Sequence, residues 1–285
     1  MCIMKTPALI EIDNCRIDNS RATIIENFSW KLLQGEKWLI IGPNGGGKAD
    51  FINALAQEKG LKIVPNTGLY SNKFIKSTEI VSLERAAAII QEERENDESE
   101  YIEGGVDIGR TGRVFIAEGV LGKIKKGTPL PPFASKLDDC SEVQLCGIQK
   151  ILDRGLKYMS TGEIRRTLLA RALISGKELL LLSDPFAGLD VESRTILLDF
   201  IDKLDPSKST VILSMERWHE IPSSITNVLE FSNKKISFCG TRTEYEALLQ
   251  ERESSLTEQK QQQKNAFSEI FFSLAVIISQ TGVFP

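Results

Sequence analysis

The chain has 285 residues, 41% hydrophobic and 26% charged, with Gly 21 and Pro 10, a globular composition that excludes a disordered or fibrous chain. Lys+Arg 35 against Asp+Glu 39 leaves a net charge of -4, so no bulk positive field holds a nucleic acid by counterion release, and no nucleic-acid partner is expected. The single histidine, His219, excludes a His-rich metal site, and Cys2, Cys15, Cys140, Cys146 and Cys239 form no C-x-x-C pair, which points to reduced thiols and a cytoplasmic setting.

Leu9-Ile10-Glu11-Ile12 and Ala22-Thr23-Ile24-Ile25 read as short strands ahead of a turn at Gly35-Glu36. Trp38-Leu39-Ile40-Ile41 is continuously apolar, as a strand covered on both faces must be, and it runs straight into Gly42-Pro43-Asn44-Gly45-Gly46-Gly47-Lys48-Ala49-Asp50. A helix follows over 49–57. Ile80 to Leu83 reads as a strand leading into an amphipathic helix, and the acidic run Glu92 to Glu100 reads as a solvated helix face. Glu103 to Gly112 is a Gly-rich loop; with Arg110 and Arg113 it is a candidate grip for an anion or partner, although a plain surface loop is the simpler reading.

A Pro-rich loop, Pro129 to Pro132, then leads to a helix over Glu163 to Ser175. Strand signals resume at Leu179 to Leu182 and Thr210 to Leu213, so the pattern predicts an α/β fold with a mostly parallel, doubly wound sheet and a helical subdomain over about 85–175. Glu251 to Lys264, with Gln261-Gln262-Gln263, is a polar linker or solvated helix, and Phe267 to Ile278 is a short apolar tail within 251–285. No unbroken apolar run approaches the roughly 20 residues that span a bilayer.

Gly42 to Lys48 matches G-x-x-x-x-G-K at every fixed position and lies between a buried strand and a helix. Glycines expose the backbone N–H groups of such a loop, and the helix N-terminus behind it adds a favourable dipole, so the loop forms a concavity for phosphate oxygens. Lys48 reaches the outer phosphates. Ala49 departs from the motif, because a Ser or Thr hydroxyl belongs there to ligate Mg²⁺.

Gly42 to Lys48 resembles the Walker A motif of ATP-binding cassette (ABC) proteins, and Tyr158-Met159-Ser160-Thr161-Gly162-Glu163 resembles their signature motif. Leu179 to Leu182 with Ser183-Asp184-Pro185, then Gly188-Leu189-Asp190, resembles Walker B and the D-loop. Trp38, the loop Ile102 to Thr111, and Pro185-Phe186-Ala187-Gly188-Leu189-Asp190 resemble, more narrowly, the N-terminal cassette of molybdate-transport-type, photorepair-like tandem ABC proteins. The resemblance covers about residues 8–250. It implies a P-loop NTPase with an antiparallel N-terminal β region, ATP and Mg²⁺ as cofactors, a second ABC cassette as partner, and a membrane transporter subunit as a further candidate partner.

By the same resemblance Asp184 occupies the catalytic glutamate position, Ser183 the Walker B aspartate position and Glu216 the switch histidine position. A neutral serine supplies no charge to the water shell of Mg²⁺, and only Asp184 is left as a candidate metal group. Asp184 falls one methylene short of the glutamate that aligns the attacking water, and a carboxylate at Glu216 repels a γ-phosphate. No aromatic residue stands near Cys15 to Ile17 to stack adenine, and Leu83-Glu84 holds no Q-loop glutamine. The signature, by contrast, is complete. The expected function is therefore ATP binding with impaired hydrolysis at the chain's own site, while Ser160, Thr161, Gly162 and Glu163 act on a partner's ATP; the alternatives are a non-catalytic regulatory cassette and an active ATPase coupled to transport such as molybdate uptake.

Overall fold

The computed structural model describes residues 8–99, 105–187, 189–218, 221–255, 257, 258 and 260. Residues 102–104, Gly188, His219, Glu220, the Gln261 to Gln263 run and the tail Phe267 to Ile278 lie outside the described residues. The chain divides into two compact units, Met1–Cys239 and Gly240–Pro285. In the second, 242–255 is helical.

The first sheet is antiparallel. β1 (Ala8–Asp18) pairs with β2 (Thr23–Leu33), and β4 (Lys62–Pro65) and β5 (Tyr70–Asn72) also pair with β1. β1 and β2 are longer than the short strands expected, because register shifts between Ile12/Cys15 and Cys15/Ile17 interrupt the alternation from which strand length is read. Their buried positions, among them Ile10, Ile12, Cys15, Phe28, Trp30 and Leu32, form one wall of the core.

The second sheet follows the order β10-β9-β3-β8-β7-β6. Its strands are β3 (Trp38–Ile41), β6 (Thr78–Val81), β7 (Leu179–Ser183), β8 (Thr210–Met215), β9 (Asn227–Ser232) and β10 (Lys235–Thr241). β3 lies parallel to both β8 and β9, and every one of its four residues is buried, which is why it reads as an unbroken apolar run. The parallel pairs β7 with β8 and β6 with β7 continue the sheet.

α1 (Lys48–Leu55) is clamped between the two sheets through Phe51. That ring is fully buried and packs on Phe28, Trp30 and Phe231 with centroids 5.8, 5.3 and 5.4 Å away. Burying such a ring contributes about 1.5–3 kcal/mol, enough to hold the helix and the loop before it in one place.

Between β6 and β7 the chain forms α2 (Leu83–Glu95), α3 (Gly112–Leu121), α4 (Ser141–Leu145) and α5 (Thr161–Ile174). Ser82 accepts a hydrogen bond from the Arg85 backbone at 3.1 Å, so Leu83 opens a helix where the sequence suggests the end of a strand. The acidic run is not wholly solvated either. Glu93 is buried and paired with Arg110, which also meets Glu118 at 3.1 Å and Glu92 at 3.3 Å. Arg113 forks onto Asp153 at 2.7 and 2.8 Å and onto Asp138 at 2.7 Å. Both arginines are thus spent on internal carboxylates, which corrects their candidacy as an anion grip.

α5 begins with a capping box: the Ser160 hydroxyl accepts from the Glu163 N–H at 3.2 Å, and the Glu163 carboxylate accepts from the Ser160 N–H at 2.8 Å. That backbone hydrogen bond is the main reason the Glu163 carboxyl sits below its ordinary value of 4.5. A depressed folded value makes its stabilisation complete above the unfolded value and lost as pH falls through the folded one. In thermal denaturation the gap in Tm between wild type and Glu163→Gln should therefore be widest above pH 4.5 and close at lower pH; a gap that widens on acidification would contradict the box.

Candidate functional site

β3 ends at Ile41 and Gly42 turns the chain with φ 149, a conformation that side chains resist. A Cβ on Gly42 would lie 2.3 Å from the Phe231 carbonyl oxygen. The turn Asn233-Lys234, with φ 49 and 59, joins β9 to β10, and the Lys234 N–H donates to the Gly46 carbonyl at 2.8 Å. This hairpin braces the Gly42 to Lys48 loop from behind. Gly42→Ala should cost about 1–3 kcal/mol of stability through strain and the clash at Phe231, read as a lower denaturation midpoint.

Lys48 opens α1 and is 5% exposed. Its Nζ donates to Asn44 Oδ1 at 3.1 Å, and Asn44 Nδ2 donates to Glu216 Oε2 at 3.4 Å. Pro43, Asn44, Gly45 and Ala49 are exposed, Gly46 and Gly47 are buried, and Asp50 is half-buried. Because the first turn of a helix leaves its N–H groups without intrahelical acceptors, the loop and α1 offer donors to an anion.

Asp184 follows β7 in a left-handed conformation, φ 45, and its N–H donates to the Ser214 carbonyl at 2.7 Å. Burial pushes its carboxyl above the ordinary range, opposed by the nearby charges of Lys48 and Arg165 and by the Glu216 N–H, and helped by the Glu216 charge. A cleft of about 540 Å³ is lined by Asn44, Arg165, Ser183, Asp184 and Glu216 among others. The structure thus brings together the sequence-predicted Asn44, Lys48, Asp184 and Glu216. It places Ser160, Thr161, Gly162 and Glu163 around a second cleft of about 540 Å³, with Pro185 and Leu189. Asp190 is exposed ahead of α6 (Val191–Lys203).

Residues 25–187 match the ABC transporter family. The chain belongs to this family. The cassette is 35% identical over 196 residues to the ABC transporter ATP-binding protein ModF of Escherichia coli, covering 68% of the cassette and 36% of ModF. This bears out the molybdate-transport-type resemblance. The cassette also spans 48% of a fission yeast ABC transporter ATP-binding protein at 27% identity, and 86% of a zinc import ATP-binding protein, ZnuC of Wigglesworthia glossinidia brevipalpis, at 25%. A nucleotide-free ATP-binding cassette from an ABC transporter superposes with TM-score 0.58 at 15% identity, covering 86% of this chain and 96% of that one. An ATP-bound bacterial Atm1-family exporter superposes with TM-score 0.56 at 19% identity, covering 86% and 40%. The fold is accordingly that of the P-loop NTPases.

Arg165 is the site residue that sequence reasoning missed. One turn into α5, it is 9% exposed and lines both clefts. Its guanidinium donates to the carbonyls of Ser183 at 2.8 Å, Ala187 at 3.1 Å and Asp184. The only hint in the sequence is a charged residue directly after Ile164, where the apolar face of the helix starts.

Mg²⁺ accompanies ATP in this family, and the donor set here does not fit it. Ala49 carries no oxygen and the Ser183 hydroxyl carries no charge. Asp184 stands among the charges of Lys48, Arg165 and Glu216, so two fixed cations oppose a dication that the carboxylates attract. Among the described residues no group of three or more His, Cys, Asp or Glu gathers to hold a metal ion.

Proposed function

We propose that this cassette binds ATP at Gly42 to Lys48 with little hydrolysis there, and that its signature, Ser160 to Glu163, completes the ATP site of a second cassette. The observation that carries the second half is Gly162. It is exposed on the first turn of α5, and a Cβ placed on it would meet nothing within 4 Å. Glycine in a helix costs about 0.5–1 kcal/mol relative to alanine, and nothing among the described residues crowds the position. A glycine at an exposed helix start with open space above it leaves room for a body that approaches closely from outside.

Ser160 supports the same reading. Its oxygen accepts the Glu163 N–H in the capping box and its hydroxyl also bonds to the Glu163 carboxylate, so a phosphate arriving from outside competes with Glu163 for that donor. That donor and the N-terminus of α5 present two forms of positive charge to a γ-phosphate. On the other side, Glu216 adds negative charge where the outer phosphates of the chain's own nucleotide would lie, and Asp184 shares that cleft with Glu216 and Arg165. The nucleotide-binding domain spans 8–250, and it works in the cytoplasm, against a second cassette and, in a transporter, against a membrane subunit. Turnover by the isolated chain compared with turnover in the presence of a hydrolysis-competent cassette tests the proposal: the isolated chain should be slow and the mixture should exceed the sum of its parts.

A further inference from the structure

The environment of Asp184 raises a question that the missing Mg²⁺ groups leave open: which positive charge balances the triphosphate. Lys48 is one cation. Arg165 is a second, more than nine-tenths buried, with three backbone carbonyls fixing its guanidinium behind the loop that carries Asp184. Among the described residues its buried Nε has no hydrogen-bond partner, so the carbonyl clamp does not use the whole donor set. Carbonyl dipoles orient the guanidinium without neutralising it, and a fixed cation in a partly desolvated cleft acts on an anion more strongly than one in water.

We propose that this cassette takes its nucleotide as the free anion, with the buried Arg165 guanidinium supplying the positive charge that a divalent cation supplies elsewhere in the family. The inference rests on nucleotide binding at Gly42 to Lys48. Its physical content is a competition for Asp184. Arg165 lines the same cleft as that carboxylate, and Lys48 bonds to Asn44 in its wall, so a dication gains little by entering; once Arg165 is removed, a dication can take its place beside Asp184 and displace the proton that the carboxyl would otherwise hold.

The test is ATP titration of the full chain by calorimetry, in EDTA and in excess MgCl₂. In wild type the two affinities should differ by less than about tenfold, whereas a Mg²⁺ advantage of about tenfold or more overturns the proposal. Absence of binding in both buffers removes the nucleotide-binding reading itself, a separate outcome. Arg165→Gln should weaken binding in EDTA by about tenfold or more and create a Mg²⁺ advantage of similar size, an effect that loss of a purely structural clamp does not produce. Arg165→Lys keeps the charge and should hold the wild-type ratio. An unchanged ratio in a folded Arg165→Gln protein refutes the part assigned to Arg165, and the wild-type comparison stands even if that variant does not fold.

Discussion

Ser160→Arg should abolish partner-stimulated turnover, while Asp184→Asn should barely change it. Loss of one preorganised donor at a transition-state oxyanion costs roughly 10² to 10³ in rate, and a bulky cation in place of Ser160 also fills the open space over Gly162. Because Ser160 caps α5 as well, the Ser160 variant alone confounds two effects. Ser160→Ala should cost about 1 kcal/mol of stability through the cap. Gly162→Ala separates them: with open space around the new Cβ it should leave the isolated chain as stable as wild type, or up to about 1 kcal/mol more so, and still lower stimulated turnover. Turnover by the isolated chain that collapses on Asp184→Asn and survives Ser160→Arg would place hydrolysis in this cassette's own cleft and end the in-trans reading.

Lys48→Ala should weaken ATP binding by about 1.5–3 kcal/mol, the worth of a hydrogen bond to a charged group, or about tenfold to a hundredfold in affinity. The ammonium is already buried and aligned by Asn44 at 3.1 Å, so little ordering is needed when phosphate arrives. Lys48→Ala also removes one of the two cations that oppose the raised carboxyl of Asp184, so the proton on Asp184 should be held to still higher pH. A titration in which the variant binds ATP as well as wild type does would remove the site assignment.

The strand, loop and helix around Lys48 were legible because each is specified locally: an apolar run, glycines at fixed spacing, and a helix start. The helix after Ser160 was legible for the same reason, since the capping box is written within four residues. What escaped is set by pairing across the chain. β5 is Tyr70-Ser71-Asn72 and β4 ends in Pro65, neither of which alternates, and both exist because β1 offers them hydrogen bonds. The internal commitment of Arg110 to Glu93 and Glu118, and the reach of Arg165 to the carbonyls after β7, depend on tertiary closure. Composition therefore read correctly as charge but not as location.

The phosphate loop has a history as well as a shape. Trp38 pairs in register with Ile212 and Asn227, and Gly46 is held by the backbone of Lys234. During synthesis the ribosome releases the Gly42 to Lys48 segment long before the strands that flank it exist. Until Lys234 has emerged the loop has no brace and β3 has two open edges, so the growing polypeptide carries an exposed apolar strand through most of its translation. Contacts this distant along the chain also slow folding. Any change that weakens the hairpin after Phe231 should then appear first as poor yield and aggregation of newly made protein, before it appears as a loss of nucleotide affinity in the molecules that mature.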